Sequence, residues 1–270
     1  MESLLSTAEA ARVAGVGTTS VKRWADEGLL SCQRTAGGHR RFPRAELERF
    51  LRAQPGATLP PSAEHWADRL MQSGSYELRA LLLEARGRTG SFYAVCDELA
   101  PAFAELGARW ACGAVTVLDE HVASERIARA LSQSSEALPL AAGAPACLLA
   151  CAEGDEHTLG LSLAELCLRE AGWDALWAGR RTPSKEIVRA VAQGEIGMVA
   201  LSASTSSKHA GRLAAEVRTL ERACSTAAIP LVLGGNGAWP QTLGHARRFS
   251  SFSAFHRFLT ERLGALPARP

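Results

Sequence analysis

Apolar and polar positions change rhythm twice along this chain, and each change predicts a different architecture. Residues 6 to 52 carry short helical periods punctuated by glycine. Ser6 and Thr7 open a helix over TAEAARVAG, with Glu9 early in its first turn and Gly15 at its end. After Val16-Gly17, Thr18 or Thr19 is placed to cap a second helix, SVKRWADEG, which Gly28 stops. Ser31 to Arg34 and the following TAGGHRRF, with two glycines at its tip, predict a β-hairpin, and a third helix starts after Pro43 and runs over 44–52. From 63 to 137 the helical period continues, with breaks near Gly74, Arg86 to Gly90 and Gly107, which predicts a four-helix bundle. Beyond Pro145 the apolar runs ACLLA, DALWA, MVALS and IPLVLGG alternate with helical stretches over 161–171, 183–193 (Thr182 as cap), 209–223 and 252–263. That alternation predicts a doubly wound parallel sheet whose ligand crevice lies at the carboxyl ends of the strands.

The proline-rich QPGATLPP and the Ala/Gly-rich stretch over 139–145 separate these regions. The fold class expected is therefore multidomain α and α/β. A winged helix-turn-helix spans 1–53, a linker 54–62, a four-helix bundle 63–138 and a flavodoxin-like, Rossmann-type domain 145–270. A hydrophobic content of 47% with 21% charged residues is ordinary for a globular protein, and no apolar run is long enough to span a bilayer. The opening MESLLSTAEAARVAG lacks the basic and apolar regions of a signal peptide. Seven cysteines form no regular framework, which points to reduced thiols in a cytoplasm, with Cys147 and Cys151 in the core. The net charge of +2 discriminates little, but residues 1–53 hold nine Lys and Arg against six Asp and Glu, concentrated from Lys22 onward.

A short helix, a glycine turn and a second helix bearing Lys22 and Arg23 have the spacing of a DNA-reading unit. Thr19, Ser20, Lys22 and Arg23 are placed to meet base edges and phosphates, and His39, Arg40 and Arg41 to meet the backbone or an adjacent minor groove. Trp24 and Phe42 belong to the core. In order and spacing, residues 5–52 resemble the winged helix-turn-helix of the MerR family, which implies double-stranded operator DNA as partner.

In the α/β region, Asp155 lies two residues before His157 at the end of the ACLLA strand, with Gly160 three residues further on. Such a carboxylate holds the proton of one imidazole nitrogen and leaves the other free for a metal. Ser202-x-Ser204 ends the third strand, with 41 residues between Gly160 and Ser202, and Gly234-Gly235 ends the fourth. Serine hydroxyls can satisfy buried polar groups, and a glycine pair leaves room for bulk. These motifs resemble the lower-ligand signature of cobalamin-binding domains. The resemblance implies His157 on cobalt, and a nucleotide tail received by Gly160, Ser202, Ser204, Gly234 and Gly235. The gap from Ser204 to Gly234 is a few residues longer than that pattern has.

Within the bundle, Trp110 is followed after nine residues by Glu120-His121. This arrangement, ahead of a cobalamin domain, resembles the CarH/LitR-type light-responsive repressors. It implies adenosylcobalamin as cofactor, with Trp110, Val117, Glu120 and His121 around its upper group. It also implies self-association in the dark as tetramer or dimer, release of DNA on photolysis of the cobalt-carbon bond, and a cytoplasmic, nucleoid-associated protein without a membrane partner. The chain departs from that family where a histidine follows the capping tryptophan, since Ala111 stands there. Water or another residue, with Cys112 nearest in sequence, would then face cobalt after photolysis. Two regulators therefore stay open, one light-responsive and one light-independent, the latter binding cobalamin or another tetrapyrrole. A corrinoid carrier for methyl transfer is the rival from another class. No nucleophile elbow, P-loop or zinc motif points to an enzyme.

Overall fold

The protein is described by a computed structural model covering residues 4–14, 16–35, 37–53 and 61–265. It divides into two compact units, Met1–Ser62 and Ala63–Pro270.

In the first unit, strand β1 (Leu4–Ser6) runs into helix α1 (Thr7–Val13), followed by α2 (Thr18–Asp26), β2 (Gln33–Arg34), β3 (Arg40–Pro43) and α3 (Arg44–Ala53). Ser6 caps α1 and Glu9 reaches back to the Ser6 N–H, a reciprocal capping box. The sequence places Thr18 or Thr19 as the cap of α2, but Gly17 takes that position in extended backbone and Thr18 is already helical. The turn before α2 is too tight for a longer entry, since the Val16 N–H is held by the Ala11 carbonyl at 3.0 Å. Gly28 has φ +70, a left-handed geometry that ends the α2 segment as expected. The hairpin forms with Gln33 opposite Arg41 and Arg34 opposite Arg40, while β1, absent from the sequence expectation, pairs antiparallel with the other side of β3. Three residues are too few for a visible period of two, which explains why that strand was hidden. Val21, Leu30, Phe42 and Leu47 form a closed core between these elements. The stop assigned to Gly15 and the linker at 54–60 lie outside the described residues.

The second unit begins with four helices, α4 (Ala63–Gln72), α5 (Ser75–Thr89), α6 (Phe92–Ala111) and α7 (Val117–Glu136). The break expected at Gly107 does not occur. Leu106 is buried and Arg109 pairs with Glu105 and Asp68, so local packing carries α6 through the glycine. The chain turns instead at Gly113, φ +77. A glycine inside a helix costs only about 1 kcal/mol, which such contacts offset.

Strands β4 (Ala146–Cys151), β5 (Asp174–Gly179), β6 (Met198–Ser202), β7 (Leu231–Gly234) and β8 (Arg247–Arg248) form one parallel sheet in the order β5-β4-β6-β7-β8. Helices α8 (Leu159–Glu170), α9 (Ser184–Ala192), α10 (Ala210–Thr226) and α11 (Phe252–Ala265) cover it. Cys147, Leu149 and Cys151 face α8, α11 and the bundle, while Leu148 and Ala150 face α9 and α10. Both faces are covered, so β4 reads as an unbroken apolar run. The order reverses beside β4, which puts the crevice at the carboxyl ends of β4 and β6. The sequence pattern does not predict the two-residue β8, and Thr182 does not cap α9: its hydroxyl donates to the Ala178 carbonyl, leaving Pro183 as N-cap.

Bundle and sheet share one core and are joined by reciprocal helix capping. Asp97 of α6 accepts the Phe252 and Ser253 N–H groups at the start of α11, and Glu170 of α8 accepts those of Phe92 and Tyr93 at the start of α6. Each carboxylate meets the positive end of the partner's helix. No helix among the described residues is long and apolar enough to cross a membrane.

Candidate functional site

Past Cys151, residues 152–155 form a turn closed by the Asp155 N–H on the Ala152 carbonyl at 2.8 Å, with Gly154 at φ +86. The turn buries Asp155 and leaves the His157 side chain 60% exposed. Oδ1 of Asp155 accepts the His157 N–H and lies 2.9 Å from the ring Nδ1. Oδ2 accepts the Ser204 N–H and the Ser207 hydroxyl, both at 2.6 Å. Burial alone would raise the Asp155 carboxyl, but the hydrogen bonds from His157, Ser207 and Ser204 outweigh it and hold the group well below the usual carboxylate range. The Asp155 bond pushes the His157 imidazole upward against its partial burial, with the charges of Glu120 and Glu156 adding to the effect. With Nδ1–H directed at Asp155, the neutral ring keeps a lone pair on Nε2, available to a metal.

Ser204 is drawn in doubly, its Oγ lying 3.1 Å from His157 Nδ1. Gly160 and Ser202 meet across the crevice, where a Cβ on Gly160 would come within 3.2 Å of Ser202 Oγ. The two terminal glycines play different parts. A Cβ on Gly234 would meet nothing within 4 Å, which leaves the open room expected of the pair. Gly235 does not supply room: at φ +81 its Cβ would lie 2.3 Å from the Ala203 carbonyl oxygen, so it exists for close backbone packing against the end of β6.

Trp110, half exposed, stands one residue before the end of α6 and is followed by the exposed Ala111 and Cys112. Val117 opens α7, and with Leu118 and Val122 it leaves apolar surface at this end of the bundle. Glu120 accepts from Ser124 Oγ at 2.7 Å and has His121 Nε2 at 3.6 Å. An open groove of about 310 Å³ continues along α7 past His121, Val122 and Arg126.

In the first unit, Thr19, Lys22 and Arg23 are exposed on α2 and Ser20 is half-buried, while the neighbouring Val21 is fully buried. His39 is exposed at the hairpin tip. Arg40 is half-buried and tied to α2 through Asp26 and the Lys22 carbonyl, so it braces the wing against the helix. Arg41 is half-buried on β3, where its charge helps to lower the Glu9 carboxyl behind the hydrogen bonds from Ser6. Trp24 packs on Phe50 at 5.1 Å, and Phe42 is wholly buried, both in the core as expected.

Three domain families match the chain in order. A helix-turn-helix domain covers residues 4–55, and two families described as B12 binding domains cover 63–133 and 145–246. The HTH-type transcriptional repressor CarA of Myxococcus xanthus is 31% identical over 217 residues, which are 77% of this chain and 71% of CarA. The chain belongs to the CarA family of repressors. The HTH-type transcriptional repressor CarH of Myxococcus xanthus is 27% identical over 233 residues, 73% of this chain and 78% of CarH. Among solved structures, the monomethylamine corrinoid protein of Methanosarcina barkeri aligns with a TM-score of 0.54 over 73% of this chain and 96% of that one. At 14% identity this likeness is one of fold. In this CarA-family chain, Asp155, His157 and the serines and glycines around them fall inside the second B12-binding match. Trp110, Val117, Glu120 and His121 fall inside the first. The sequence does not single out Ser207, because in the run SASTSS nothing local distinguishes the serine that turns back onto Asp155.

Proposed function

We propose that this chain is a cobalamin-dependent transcriptional regulator that represses in the dark with adenosylcobalamin bound and releases its operator in light. The observation that carries the reading is the His157 imidazole at the switch point, fixed at Nδ1 by Asp155 and free at Nε2. The residues fit a corrinoid. One nitrogen donor suits a metal whose other positions a macrocycle fills, and Gly234 borders open space at the strand ends. When bound, adenosylcobalamin supplies a cobalt–carbon bond that visible light breaks. Asp155 keeps the Nδ1 proton in place, so that Nε2 of His157 stays a donor. Ser202, Ser204, Gly160 and Gly234 would receive the tail, with Gly235 holding the loop that shapes its slot. Trp110 and Val117 would cover the upper group by apolar contact, while Glu120 and His121 offer it hydrogen bonds. Such contacts would be made only with the upper group in place and would bias the bundle toward one position over the α/β domain.

DNA binding follows from the first unit, which we read as a MerR-type winged head. A single small head makes few contacts, and self-association multiplies the effective concentration of its neighbours at an operator. The protein would work in the cytoplasm, at the nucleoid. Lys22→Ala and Arg23→Ala are each expected to weaken operator binding and to lower the slope of log affinity against log salt by about one. Titrations at several salt concentrations measure it.

Gel filtration of the protein with adenosylcobalamin, in darkness and after green light, tests the central claim. An oligomer that carries cobalamin in the dark and dissociates in light is expected. The same cobalamin-bearing peak in both conditions would instead establish a light-independent regulator. Ala111 favours that second reading, because its methyl side chain offers no ligand beside Trp110 once the upper group is lost.

A further inference from the structure

Helix α10 turns Leu213, Val217, Leu220 and Cys224 toward the sheet, and Glu216 lies on that same buried stripe at 7% exposure. An apolar residue would pack there at lower cost, because a buried carboxylate must be held by donors. Those donors come from the loops that frame the site. The Glu153 N–H donates to both Glu216 oxygens, at 3.1 and 3.0 Å. The hydroxyl of Ser184, first residue of α9, lies 3.3 Å from Glu216 Oε1 and 3.3 Å from Glu153 Oε2. Glu153 is the second residue of the 152–155 turn, whose closing residue, Asp155, orients His157. Burial pushes the Glu216 carboxyl above its ordinary range, a penalty that packing by itself does not explain.

We propose that Glu216 is a positioning residue for the cobalt-binding imidazole: its hold on the Glu153 N–H sets the turn that aims His157 Nε2 into the crevice. The inference rests on the corrinoid reading above. It assigns Glu216 no contact with the ligand, only control of the loop that presents the donor.

The test uses the full chain labelled with nitrogen-15 histidine, loaded with cob(II)alamin and read by electron paramagnetic resonance. Wild type is expected to show the two-line splitting of a nitrogen-15 axial ligand in place of the three-line splitting of ordinary nitrogen. Glu216→Leu restores an apolar stripe, so the ligand-free protein should melt at or above the wild-type temperature. Its corrinoid affinity should nevertheless fall roughly 10- to 100-fold, the range for residues that orient a metal ligand, with the two-line signal diminished. Glu216→Gln keeps an acceptor oxygen for Glu153 and should retain most of both. Glu216→Ala reads the same signals if leucine does not fit. A Glu216→Leu or Glu216→Ala protein with wild-type affinity and an intact two-line signal overturns the inference. Absence of that signal from the wild type removes His157 as the ligand, and the inference with it, a failure visible without any variant.

Discussion

Replacing His157 with alanine is expected to lower corrinoid affinity by roughly 100-fold or more, since substitutions one shell further out already cost 10- to 100-fold. The ligand-free protein should barely notice. The His157 side chain is 60% exposed, and Asp155 keeps its bonds from the His157 backbone, Ser204 and Ser207 when the ring is gone. Loss of one hydrogen bond on a solvated ring should cost about 1 kcal/mol or less. Equilibrium titration with hydroxocobalamin and a melting curve of the ligand-free protein separate the two effects. Unchanged affinity would remove His157 from the site. A collapse of stability would make it a structural residue instead.

Gly235→Ala should produce the opposite pattern, a protein damaged before any ligand arrives. Its Cβ would lie 2.3 Å from a backbone oxygen, where no side-chain rotation gives relief, and φ +81 strains any L residue. Strain and overpacking together amount to roughly 3 kcal/mol. For a unit of this size that lowers the melting temperature by about 6–12 °C. Displacing Ala203 also displaces the adjacent Ser204 N–H, which donates to Asp155, so binding should weaken too. Gly234→Ala, one residue earlier, meets open space and should leave the ligand-free stability nearly unchanged while crowding whatever occupies the slot. Equal melting temperatures for the two variants would contradict the packing described for Gly235.

Much of the fold is legible wherever a local rhythm has room to repeat. The continuous apolar runs of β4, β5, β6 and β7 and the helical periods of the second unit extend over enough residues to be recognised. The strands that escape notice, β1 and β8, have three and two residues and exist only because a neighbour offers free hydrogen-bonding groups. The misplaced breaks have the same origin. Gly107 looks like a stop, yet Leu106 and the Arg109 ion pairs hold α6 together across it. Thr18, Thr19 and Thr182 look like caps, but the preceding backbone or a different carbonyl takes their place.

The site divides along a similar line. Order of domains, a buried strand followed closely by Asp155 and His157, and a basic second helix are all properties of neighbouring residues, and the chain carries them openly. Contacts between residues distant in sequence depend on how the crossovers wind, which no local pattern encodes. Winding brings Ser207 onto Asp155 across 52 residues and Glu216 onto Glu153 across 63. It also presses Gly235 against Ala203, while in the first unit the hairpin brings Arg40 onto Asp26. Burial is what gives those contacts their weight. A carboxylate removed from water must find donors wherever the fold brings them, and for Asp155 those donors are the His157 ring and backbone N–H, the Ser204 N–H and the Ser207 hydroxyl.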